Sequence, residues 1–246
     1  MVWGDQMDIK QRGMSASLPM KRIPLTYTYN TRDLGGLATG DGRVTSFGRL
    51  LRSDLPARLD CADVSLLKRL GIARVIDLRT KEEALSRPSA FESCPDFEFF
   101  HCPFSVGNGI PSSVEEFPVL YGAILSDYPA IRRIMEIIAA PGGVLYHCAA
   151  GKDRTGIVSM LMLLAAGVTV SDILADYQVS YTYLRVFVRG LLERRPDWSP
   201  FVGRSDMEFM EATLDNFFAR YGSVRDYLHE AGLTPAQTTS LEQKLF

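Results

Sequence analysis

The order of apolar patterns predicts an α/β fold: a single domain with a short, mostly parallel central sheet, flanking helices and a helical C-terminal part. Three observations predict it. Strand-like runs alternate with helical periods up to residue 147, and only helical patterns follow. Between the two regions, an apolar run over 143–147 ends in a Cys and a loop of small residues. That loop opens onto a continuous apolar stretch at 157–166, so strand, loop and helix succeed one another directly. With 246 residues, 46% hydrophobic and 23% charged, the chain can bury one large core.

Taken in order, residues 1–24 hold Lys10, Arg12, Lys21 and Arg22 without the apolar core of a signal peptide, and are expected to form a mobile leader to a domain over 25–246. Tyr27-Thr28-Tyr29 alternates as a short strand does, and Gly35-Gly36 suits a tight turn. Asp60 caps a helix over 60–70 that presents Val64, Leu67 and Leu70 on one face and stops at Gly71. The run 72–79 reads as a buried strand with Asp77 and Arg79 at its C-terminal end, the ligand-binding end of a parallel sheet. Thr80 and Glu83 form a capping box for another short helix.

Prolines 88, 95, 103, 111 and 118 break the pattern from 87 to 128 around a strand at 97–102, which makes this stretch a candidate lid. Its Phe104, Ile110, Val114, Phe117 and Leu120 suit either a shield over a site or core packing. Asp127 caps a helix over 130–140. Beyond the loop, residues 155–166 are apolar on nearly every face, which predicts a central buried helix ending at Gly167. Thr169 starts the next helix, through Leu184, and Pro196 and Pro200 mark a break. Capping boxes at Ser205/Glu208 and Thr234/Gln237, with stops at Gly222 and Gly232, predict three further helices.

The net charge of −2 offers no basic stripe, which argues against nucleic acid as the main partner. The longest apolar run is too short for a bilayer, so no transmembrane segment is expected. Cys61, Cys94, Cys102 and Cys148 show neither metal spacing nor a disulfide framework, and a cytoplasmic, reducing setting is expected.

The chemistry concentrates in His147-Cys148-Ala149-Ala150-Gly151-Lys152-Asp153-Arg154-Thr155-Gly156. A small-residue loop between a strand and a helix lets its N–H groups converge on one point, which is an anion site. The helix dipole and Arg154 favour the Cys148 thiolate, and the planar fork of Arg154 matches two phosphate oxygens. Thr155 places a hydroxyl beside the sulfur. These are the parts of a thiolate phosphatase, with the loop amides of Ala149, Ala150, Gly151 and Lys152 as substrate ligands.

Cys148, five intervening residues and Arg154-Thr155-Gly156 resemble the signature of the cysteine-dependent protein tyrosine phosphatase superfamily. Gly151-Lys152-Asp153-Arg154 narrows the resemblance to its atypical bacterial tyrosine and dual-specificity branch. Asn30 to Gly36, with Arg32 and Asp33, resembles the opening motif of that branch, and Leu50-Leu51-Arg52-Ser53 its next strand. The resemblance implies a tyrosine-phosphatase-like fold and hydrolysis of phosphate monoesters, phosphotyrosine in proteins foremost, through a phosphocysteine that releases inorganic phosphate. It implies no metal or other cofactor, since the loop supplies the positive potential. Phosphoinositide or dual-specificity hydrolysis is the alternative, and a non-catalytic phosphate-binding module a further one. His147, Arg32, Asp33 and Arg52 are expected to support the site.

The general acid is open. The usual Trp-Pro-Asp loop is missing, and Cys94-Pro95-Asp96 and Arg195-Pro196-Asp197 imitate it only in part. Asp153 is the first candidate and Asp77 the second. Lys152 is expected to reach outward, toward a second phosphate of an inositide.

Overall fold

The computed structural model describes residues 20–106 and 109–246. Strands β1 (Arg32–Asp33), β2 (Leu50–Ser53), β3 (Ile72–Asp77), β4 (Glu98–His101) and β5 (Gly143–His147) form one sheet in the order β1-β2-β5-β3-β4. Only the β1–β2 pair is antiparallel. Every residue of β5 is buried, as befits a central parallel strand covered on both faces. Its side chains alternate accordingly: Val144 and Tyr146 enter the larger core, and Leu145 enters the opposite one with Leu51, Val75 and Phe91. The register sets Ser53 and Asp77 on either side of His147, so the C-terminal ends of three strands are level just before Cys148.

Helices α1 (Cys61–Arg69), α2 (Lys81–Ser86), α3 (Glu116–Leu125), α4 (Tyr128–Ala139), α5 (Asp153–Ala165), α6 (Val170–Arg194), α7 (Met207–Tyr221), α8 (Val224–Glu230) and α9 (Pro235–Gln243) complete the described fold. The expected capping boxes at Thr80 and Thr234 are formed, the expected cap at Asp60 is a full capping box with Asp63, and Asp127 caps α4. Helix α5 is buried from Arg154 to Leu163, which explains why its sequence shows no polar stripe.

Three expectations need correction. Residues 27–29 form no strand, because the amides of Tyr29 and Asn30 bond the Asp54 carboxylate instead of a neighbouring strand. Helix α6 runs ten residues past 184, to Arg194. The Ser205/Glu208 box is absent, since Ser205 Oγ donates to Gln178 O and accepts from Tyr181 N. In the proline-rich stretch, Phe104 and Phe117 are core residues. Phe117 stacks on Phe209 of α7 at 3.8 Å, which makes α3 a packed wall, while Ile110 and Val114 stay exposed.

Of the expected leader, residues 1–19 lie outside the described residues. Lys21 O accepts from Asp33 N and Ile23 is buried, so the packed chain begins before residue 25. Among the described residues, no helix is long and apolar enough to cross a membrane.

Candidate active site

The loop from Cys148 to Lys152 connects β5 to α5, and its shape is fixed from outside. Gly151 has φ +67°, and an added Cβ would lie 2.5 Å from Ser53 O and Asp54 N, so only glycine fits against the end of β2. The loop carbonyls are taken by the scaffold. Leu55 N donates to Ala149 O at 3.1 Å, and Asn30 Nδ2 donates to Ala150 O and Gly151 O at 3.0 Å each. Arg52 Nη2 reaches Gly151 O at 2.9 Å and Lys152 O at 3.5 Å. In a trans peptide the next N–H points opposite to the carbonyl, and there are no cis bonds here. Outward carbonyls at 149–152 therefore turn the amides of 150–153 to the concave side, where α5 also begins.

This scaffold rests on one buried acid. Asp176 of α6 accepts from Arg32 Nε at 2.9 Å and from Arg52 Nη1 at 2.6 Å. Burial alone would raise its pKa, but the two guanidiniums hold it well below the usual carboxylate range. Arg32 also donates to Asn30 Oδ1, which orients the amide that grips the loop. Asp33 accepts from the amides of Gly35 and Gly48 and braces that turn. Arg32 and Arg52 thus support the loop from behind, and Asp33 supports the turn beside it.

Arg154 is 3% exposed and forks onto Glu83, Nη1 to Oε2 at 2.5 Å and Nη2 to Oε1 at 2.9 Å. Burial opposes its charge, yet Glu83 and the nearby Cys148 hold its pKa above the ordinary arginine value. Nε of Arg154 and Oγ1 of Thr155 are buried donors with no partner among the described residues, as an anion site requires. Glu83 also accepts from Thr80 N, so one side chain both caps α2 and orients Arg154.

His147 is fully buried, with Nε2 3.1 Å from Ser89 Oγ and Nδ1 3.3 Å from Cys148 O. Burial pushes its pKa down to about 4 despite Asp77 nearby, so it is neutral: Nδ1–H donates to Cys148 O and Nε2 accepts from Ser89. Between pH 6.5 and 4 the unfolded chain binds a proton that the folded chain refuses. Stability is therefore fully present above the upper value and falls with pH through this window, by about 3 kcal/mol at its lower end. The His147→Gln variant should flatten urea stability across that window, and an unaltered slope would remove His147 from the account.

Asp77 is not placed to donate a proton. Burial favours its neutral form, but Arg79 holds it below the ordinary carboxylate range through Nε at 2.9 Å and Nη2 at 2.6 Å. It does not line the cavity over Cys148. Asp153 does, and its Oδ1 accepts from Tyr121 Oη at 2.6 Å and lies 3.2 Å from Lys152 Nζ. Lys152 is turned inward rather than outward. It is 4% exposed, donates to Arg204 O at 2.5 Å and sits 5.0 Å from the centre of the Phe117 ring. Asp96 and Asp197 pair with Lys68 and Arg195 at the surface.

Cys148 is 2% exposed and lies in a cavity of about 220 Å³ walled by Ile110, Leu184, Phe187, Val188, Trp198 and Val202. Sequence reasoning missed Asp176, Tyr121 and Tyr177, and read Glu83 only as a cap. The available signal for Asp176 was an acid between Ile173 and Tyr177 on the buried face of a helix.

The model of the tyrosine phosphatase family matches residues 23–246. A provisionally named tyrosine-protein phosphatase of Cupriavidus necator is 34% identical over 228 residues, covering 82% of this chain and 81% of the relative. The triple specificity protein phosphatase PtpB of Mycobacterium tuberculosis is 29% identical, covering 85% of this chain and 93% of its own. The Siw14 catalytic core aligns at a TM-score of 0.39 with 20% identity, over 74% of this chain and 90% of that one. The chain belongs to the tyrosine phosphatase family. It is a phosphatase with an α/β fold.

Proposed function

We propose that this phosphatase hydrolyses phosphotyrosine in proteins through a phosphocysteine. The observation that carries the reading is Cys148 at the floor of an apolar cavity, beside a loop whose carbonyls are all turned away. The Cys148 thiolate attacks phosphorus in line while the inward amides and Arg154 hold the equatorial oxygens, where transition-state charge collects. Asp153 protonates the leaving oxygen, and water then releases inorganic phosphate. A phenyl ring fills the space between Phe187, Trp198 and Val202, whereas a phosphoserine arm leaves those walls uncovered. Dual-specificity hydrolysis is the second reading, supported by the name of the mycobacterial relative. The inositide reading is weaker, because the Lys152 ammonium is spent on Arg204 O and Asp153.

Rapid quenching with a ³²P-labelled phosphotyrosine peptide should trap label on the protein, and the Cys148→Ser variant should trap none. Specificity should favour phosphotyrosine over phosphoserine in the same peptide by about tenfold or more, the worth of burying one ring. Turnover without trapped label would sink the intermediate, and equal rates on the two peptides would sink the preference.

A further inference from the structure

Asp153 does not offer its two carboxyl oxygens equally. Oδ1 is held by Tyr121 Oη at 2.6 Å and approached by Lys152 Nζ at 3.2 Å, whereas Oδ2 accepts no hydrogen bond among the described residues. Tyr121 is fully buried on α3, and its hydroxyl lies 2.5 Å from that of Tyr177 on α6, also fully buried. Because Tyr121 donates to Asp153, Tyr177 must donate to Tyr121, and the chain of protons runs one way. Burial, followed by the charge of Asp153, raises the Tyr121 pKa well above that of a free phenol, so this donor stays protonated. Helix α3 is itself fixed, with Phe117 stacked on Phe209 one turn before Tyr121.

We infer that Tyr121 is a positioning residue: with Lys152 it anchors Oδ1 of Asp153, so that Oδ2 alone carries the proton and presents it to the leaving oxygen. This rests on Asp153 being the general acid. In the first step the S–P bond forms, the P–O bond to the leaving group breaks, and the Oδ2 proton moves to that oxygen. Asp153 is left as a carboxylate whose charge falls on an oxygen pair already holding the Tyr121 and Lys152 donors. In the second step Asp153 takes a proton from water as its oxygen bonds phosphorus and the Cys148 thiolate leaves. The groups around Asp153 are Lys152, Arg154 with Glu83, Cys148, Tyr121 from α3, and Tyr177 from α6 with Asp206 beyond it; Arg87 lines the cavity. All but Tyr121 are retained when that hydroxyl alone is removed.

The test is Tyr121→Phe beside Asp153→Asn and the double variant, on phenyl phosphate and on 2,4-dinitrophenyl phosphate, whose leaving group needs no proton. Tyr121→Phe should lower kcat on phenyl phosphate about tenfold, the worth of one hydrogen bond to a charged group, and much less on the dinitrophenyl ester. The alkaline limb of its pH–rate profile should move to higher pH, since a donor to the ionised carboxylate is gone. In the Asp153→Asn background the Tyr121 substitution should add no leaving-group-dependent loss. Equal losses on both esters, or an unmoved limb where Asp153→Asn abolishes it, would overturn the inference while the acid assignment stands. If Asp153→Asn itself keeps the limb and the wild-type ester ratio, the acid assignment fails and the inference with it.

Discussion

The Cys148→Ser variant should fold as the wild type does and lose aryl phosphate hydrolysis by roughly four orders of magnitude or more. A serine hydroxyl is far harder to ionise, and the inward amides favour an anion in the cup without removing that proton. The companion change, Arg154→Lys, should lower kcat/KM by about two to three orders of magnitude. An ammonium is a point charge: it cannot hold both oxygens of Glu83 and still direct a planar N–H at phosphate, as the guanidinium does through Nη1, Nη2 and the free Nε. Turnover by Cys148→Ser on 4-nitrophenyl phosphate within tenfold of wild type would refute the nucleophile, and wild-type kinetics for Arg154→Lys would refute the clamp.

The largest stability effect should come from a residue remote from the chemistry. Asp176→Asn keeps the size of the side chain but leaves the Arg32 and Arg52 guanidiniums facing each other in the core, each at most 1% exposed. Removing one partner of such a buried charge group costs about 3–5 kcal/mol, because the remaining charges are neither hydrated nor paired. Urea unfolding should show that loss as a lower midpoint at unchanged slope. Activity measured well below the midpoint should also fall, since Arg52 is what holds Gly151 O and Lys152 O. A loss under 1 kcal/mol would show that the two arginines repack or hydrate, and that the cluster is not the keystone of the loop.

What could be read from the sequence was local. Cys148 to Arg154 sits within seven residues, and the caps at Asp60, Thr80, Asp127 and Thr234 act on amides three positions on, so spacing alone displays them. What could not be read was decided by partners far along the chain. Asp176 meets Arg32 across 144 positions and Tyr121 meets Asp153 across 32, which no period of 2 or 3.6 can signal. Lys152 looked like an outward cation because nothing in its neighbourhood announces Arg204 O, 52 residues later. The end of α6 was missed although it could be read. Leu184, Phe187, Val188 and Leu191 continue the face of Ile173 and Tyr177 at helical spacing, so the extension to Arg194 was legible and only the prolines at 196 and 200 bound it.

The outward carbonyls of residues 149–152 separate two controls that enzymes often combine. Peptide N–H groups do not titrate, so the donors offered to a phosphate are the same in acid as in mild alkali. Short of proline, no replacement of the Ala150 side chain can delete its backbone donor. Acidity therefore has to reach the reaction through groups other than these donors. The same constancy acts on the way out: on the proposed route inorganic phosphate meets the donors that held the ester, and competes with fresh substrate for the cup.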